Sequence, residues 1–166
     1  IESSFRGNIR VTDVGPTLMK SSVYNPFEQN RFGQIEFIEK VGPNKWLIKN
    51  GRYKVNNPIN LEGHLIIEPG VNLIFDDKSY FLLTGSIDVL GTKTHPVRFS
   101  AQNDAWKGFY LRSNSAKSSI SHLLVENTTG LNAGILNLTG GFTIYNSDIV
   151  VNALEFDQTL AEDAIN

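Results

Sequence analysis

The sequence predicts an all-β chain wound as a right-handed parallel β-helix, a single-stranded solenoid. Three observations predict it. Short runs of strand-forming residues recur, each closed by Gly, Asn or Asp. Leu65, Ile87 and Phe109 open similar runs and stand 22 positions apart, a period typical of solenoid repeats. Asn50-Gly51 is the only Asn-Gly or Asp-Gly pair, so the two-residue hairpin turns of an antiparallel sandwich are nearly missing.

Taken in order, residues 1–45 differ from the rest. Gly15-Pro16, Asn25-Pro26 and Gly42-Pro43 punctuate them without a strand rhythm, which predicts an N-terminal cap or linker segment. Arg31 to Val41 fits a strand at Ile35 and Phe37, or a short helix at Ile35, Ile38 and Val41; periodicity leaves both open. From Trp46 the runs follow one another: Trp46–Ile48, Tyr53–Val55, Leu65–Ile67, Val71–Phe75, Phe81–Leu83, Ile87–Leu90 and Val97–Phe99. Phe109–Leu111, Ile120–Val125, Ile135–Leu138, Phe142–Tyr145 and Ile149–Val151 complete them. Gly and Asn tolerate positive φ, so they mark the corners between runs.

Like residues recur at 25 positions in Val125-Glu126-Asn127 and Val150-Val151-Asn152, and at 26 in Gly108-Phe109 and Gly134-Ile135. Residues 46–166 then make room for about five coils of about 24 residues. Ala164-Ile165-Asn166 reads as the start of another rung, so the C-terminal end is expected to be truncated. Such an end exposes a row of strand edges, and a second copy stacking end to end would cover it. The expected core is Leu65, Ile67, Leu73, Phe75, Ile87, Val89, Val97, Phe99, Phe109, Leu111, Ile120, Leu138, Ile144 and Ile149.

Composition bounds the function. The net charge is −2 and the 15 Lys and Arg are scattered, so the basic stripe of a nucleic-acid binder is missing. No apolar run approaches the roughly 18 residues of a membrane span. With no cysteine, disulfides, thiolate metal sites and cysteine nucleophiles are excluded. The chain begins at Ile1 without a signal peptide, which reads as a piece of a longer precursor.

Leu65-Ile66-Ile67-Glu68-Pro69-Gly70-Val71, Gly91-Thr92, His95-Pro96-Val97-Arg98-Phe99 and Trp106-Lys107-Gly108 resemble the rungs of bacterial right-handed parallel β-helix domains. Val125-Glu126-Asn127-Thr128-Thr129-Gly130 and Glu162-Asp163-Ala164-Ile165-Asn166 are similar to the subset attached to spore-coat-protein-H-like kinases. The first likeness covers residues 46–151. No Gly-rich phosphate loop, Asp-Phe-Gly or His-Arg-Asp occurs, so the kinase motifs themselves are missing. The resemblance implies an exported or surface-associated scaffold that binds polysaccharide.

The side chains give no catalytic, cofactor-binding or metal-binding residue. His64, His95 and His122 fall on different expected coils without ligand spacing and read as surface histidines. Asp76 and Asp77 are adjacent, so on an extended backbone they point to opposite sides. Glu68, Asp88, Asp104, Glu126 and Asp148 form no column in the expected register. Arg98, between Val97 and Phe99, faces outward; it is the candidate base of a lyase, without an acidic companion in adjacent coils. Trp106, Tyr53, Tyr80, Tyr110 and Tyr145 could line a sugar-stacking strip, although Trp106 before Gly108 reads first as corner packing. Gly-x-Ser-x-Gly, Walker, dinucleotide and His-Glu-x-x-His motifs are all missing.

The sequence therefore predicts a non-catalytic structural or adhesive module of an exported bacterial protein, without cofactor, nucleic acid or membrane span. Its expected partner is a polysaccharide, coat polymer or surface protein. The rival is a lyase or epimerase on uronate polymers, with Arg98 as base and calcium held by acidic residues of the missing coils.

Overall fold

The computed structural model describes residues 3–10, 35–113, 116–133 and 136–166. Among them there is no helix, and the described residues form sixteen strands. These are β1 (Ser3–Arg10), β2 (Ile38–Gly42), β3 (Lys45–Ile48), β4 (Arg52–Val55), β5 (Ile59–Ile67), β6 (Asn72–Phe75), β7 (Phe81–Leu90) and β8 (Val97–Ala101). Then come β9 (Phe109–Arg112), β10 (Lys117–Ser121), β11 (Leu123–Glu126), β12 (Leu131–Ala133), β13 (Leu136–Leu138), β14 (Gly140–Tyr145), β15 (Asp148–Asp157) and β16 (Asp163–Ile165). Fourteen belong to one sheet, and β12 and β13 form a separate antiparallel pair.

The sheet corrects the expected parallel β-helix. It is mixed: β1 lies antiparallel on β15, and β2 and β3 form an antiparallel pair, while β5, β7 and β9 run parallel. The sheet curls into a half-barrel because its long strands each serve two neighbours. The first half of β7 pairs with β9 and its second half with β10, while β15 pairs with β10 and then with β11.

Nor is the repeat regular. Paired residues stand 19 positions apart at Lys45 and His64, 22 at Leu65 and Ile87, and 33 at Phe109 and Phe142. Loops of unequal length between strands cause the drift, so a uniform coil of about 24 residues does not exist. Ile87 does not lie beside Phe109; Phe81 does. Val125 pairs with Phe156 rather than with Val150. Gly134 and Ile135 lie outside the described residues.

Local chemistry explains several boundaries. The segment left open between strand and helix contains β2 from Ile38. The expected run Ile120–Val125 is split into β10 and β11 at His122, whose φ is 48°, a left-handed conformation that interrupts a strand. β5 and β7 continue past their expected bounds through Gly63 and Gly85, with φ of 118° and 142°. Here the backbones stack so closely that a Cβ on Gly85 would lie 2.0 Å from the Gly63 carbonyl oxygen. Only glycine fits such a corner.

Inward positions alternate along the strands, as a half-buried sheet requires. Ile59, Phe81, Phe109 and Phe142 follow one another across β5, β7, β9 and β14 by register, all buried. Phe99 sits between Phe75, Phe81, Trp106 and Phe109 at centroid distances of 5.7 to 6.3 Å. Burying each such ring contributes roughly 1.5–3 kcal/mol. The expected core residues are buried except Leu138, which is half-buried in β13.

Candidate functional site

The outward face of β5, β7, β10 and β15 carries a set of polar side-chain contacts. The register aligns His64 with Ser86, Ile66 with Asp88, and Asp88 with Ser119. In a parallel pair, residues at matched positions point to the same side, about 4.8 Å apart. The side chains therefore meet. His64 Nδ1 lies 2.8 Å from Ser86 Oγ, and its Nε2 lies 3.2 Å from Asp88 Oδ2. Ser119 Oγ donates to Asp88 Oδ1 at 2.6 Å.

The partners fix the ring's tautomer. Asp88 only accepts hydrogen bonds, so the proton of a neutral His64 belongs on Nε2. Nδ1 then keeps its lone pair and accepts the Ser86 hydroxyl proton. The result is a chain Ser119–Asp88–His64–Ser86 in which the donations from both ends converge on the Asp88 carboxylate. Ser86 is buried, whereas the His64 and Asp88 side chains are 30% and 36% exposed. The Gly63 and Gly85 corner sits directly before His64 and Ser86, and the His64 N–H donates to the Asn44 carbonyl at 2.8 Å. The alternation of β5 and β7 runs through that corner, so His64 and Ser86, three positions after the inward Leu61 and Leu83, both point outward.

The same face extends to Ser121 on β10 and Asn152 on β15, whose Nδ2 donates to Ser121 Oγ at 3.2 Å. Leu90 and Val150 stand on it as exposed apolar residues. Lys117 and Asp148 are matched by register on β10 and β15.

No family model, curated protein or solved structure matches the chain. The likeness to bacterial surface domains thus rests on the quoted residues alone.

The other candidates fall elsewhere. His95 sits in the turn 92–95, its Nδ1 3.0 Å from Thr94 Oγ1. His122 joins β10 to β11, its Nδ1 3.2 Å from Ser121 Oγ. Arg98 does have an acidic companion: its guanidinium lies 3.3 Å from Glu126 Oε2. Asp76 accepts from the Lys78 and Ser79 N–H groups and from Ser79 Oγ, which makes it a corner clamp. Among the described residues, no group of three His, Asp or Glu could hold a metal ion, and no helix is long and apolar enough to cross a membrane.

Three of the five aromatics of the expected strip are buried, and Tyr53 and Tyr145 are half-buried. Trp106 is fully buried, stacked on Phe75 at 4.0 Å, with its Nε1 donating to the Glu126 carbonyl. Tyr80 and Tyr110 are buried too, and Tyr53 stacks on Phe37. Burial pushes the Tyr110 hydroxyl far above its usual pKa, and that hydroxyl donates to the Lys107 carbonyl.

His64, Ser86, Asp88 and Ser119 as a set were not found by sequence reasoning. The signal was present: the step of 22 from Leu65 to Ile87 also sets His64 opposite Ser86.

Proposed function

We propose that the protein is a binding module whose outward β5–β7–β10–β15 face takes a hydroxyl-rich glycan. One observation carries this reading: the polar side chains of that face already hold one another in fixed positions through Ser119–Asp88–His64–Ser86 and Ser121–Asn152. A face ordered before binding loses less side-chain entropy when a ligand arrives. Glycans present alternating hydroxyls and C–H surfaces, and the face offers both serine and carboxylate oxygens and the exposed Leu90 and Val150. A sugar-stacking aromatic strip has no part in it. The likeness of residues 46–151 to bacterial surface domains supports an exported setting for the parent protein.

The test is an NMR titration with a panel of neutral and uronate oligosaccharides. Binding should shift amide signals of β5, β7 and β10, and Asp88→Ala should weaken it at least tenfold, which is about 1.4 kcal/mol. Shifts confined to other strands, or a silent panel, would remove the proposal.

A further inference from the structure

We infer that Ser86 is an activated nucleophile towards carboxylic esters, with His64 as its general base. This goes beyond glycan binding and does not depend on it. A serine nucleophile is recognised by roles: a base within hydrogen-bond reach of its oxygen, and a third group orienting the base. Ser86 Oγ and His64 Nδ1 are 2.8 Å apart, and Asp88 stands 3.2 Å from Nε2. The ring nitrogens are exchanged relative to familiar serine hydrolases, but each still has its role. Asp88 is a positioning residue, itself held by Ser119 at 2.6 Å.

The charged neighbours on this face suit the reaction. Lys45 is matched to His64 on β3, and extending the Asp88–Ser119 register by two residues brings Lys117 opposite Ser86. An ammonium reaching the carbonyl from either position would favour the oxyanion formed there. In the first step Ser86 Oγ bonds to the ester carbonyl carbon while its proton passes to His64 Nδ1. The imidazolium returns that proton to the leaving alcohol as the C–O bond breaks. Water then attacks the acyl-serine, giving its proton to the same nitrogen, which returns it to Ser86 Oγ as the carboxylic acid leaves. Ester and water are the only reactants.

A fluorophosphonate probe reports the first half of this chemistry, since it bonds to an activated serine oxygen with loss of fluoride. Mass mapping of the native chain should place the adduct on Ser86, and urea unfolding should abolish it, a result that needs no variant to fold. Ser86→Ala should take no label, and His64→Gln should label about 10²–10⁴-fold more slowly. Nitrogen-15 spectra of the ring should show the Nε2–H tautomer in the native protein, and Asp88→Asn should slow labelling of Ser86, which an aspartate with no bearing on the base would not do. The inference is overturned by an unlabelled Ser86, by a label on another serine only, or by an unchanged rate in His64→Gln. Glycan binding that persists without labelling would leave the binding proposal intact and remove this one.

Discussion

Replacing Gly85 by alanine strikes the corner on which the outward cluster depends. The new Cβ would stand 2.0 Å from the Gly63 carbonyl oxygen, about 1.4 Å short of ordinary contact. The backbone of β5 or β7 must retreat by that order, because the obstructing atom is main chain. Alanine at a φ of 142° adds roughly 1–3 kcal/mol of strain. Displacing the strand weakens one or two ladder hydrogen bonds at about 1 kcal/mol each. The expected loss is about 2–5 kcal/mol, read by urea unfolding followed by circular dichroism. Gly42→Ala is the control: its Cβ would meet only the Lys45 Cβ, at an ordinary 3.5 Å. That change should stay within about 0.5–1 kcal/mol of native. A Gly85→Ala protein as stable as the control would refute the close stacking of β5 on β7. Fluorophosphonate labelling should fall with it, because Ser86 follows the corner directly.

Phe99→Ala should cost about 3–5 kcal/mol by denaturant titration, since four rings surround a fully buried side chain. Arg98→Ala should cost under about 1 kcal/mol in the same assay, as its guanidinium pairs with Glu126 at a side chain 43% exposed. Tyr110 keeps its proton in the fold because burial raises its pKa above the ordinary 10.0. The unfolded chain releases that proton near pH 10, so stability is complete below that pH and falls as pH rises above it. Tyr110→Phe should flatten the fall, measured as unfolding midpoints between pH 8 and 11.

The sequence makes inward and outward positions legible wherever a strand is short and bounded by turn residues. Ile87, Val89, Val97 and Phe99 flank the polar Asp88 and Arg98, and alternation alone marks them as core. The step from Leu65 to Ile87 is legible because the segment between β5 and β7, residues 68–80 with the short β6, is compact. The next step is not, because the segment between β7 and β9, residues 91–108 with β8, is longer and shifts the register. A period measured over one turn then misassigns Phe109, whose partner is Phe81.

The antiparallel contacts of β1 and β2 were beyond reach for a different reason. Their register is set by which edge is free once the sheet has curled, and a local pattern does not encode that. The candidate site failed on a third ground. His64, Ser86 and Asp88 each read as ordinary surface residues until cross-strand register is applied to outward positions as well as to the core. Arg98 and Glu126 repeat the lesson, since 28 residues separate two groups that stand 3.3 Å apart.

The central claim is that unequal steps along the chain align β5, β7 and β10 so that four outward side chains touch. Nuclear Overhauser contacts between backbone protons of neighbouring strands measure that alignment directly. Cross-peaks should join the surroundings of His64 to Ser86, Asp88 to Ser119, and Phe81 to Phe109. Cross-peaks joining Ile87 to Phe109, as a uniform step of 22 residues demands, would contradict it.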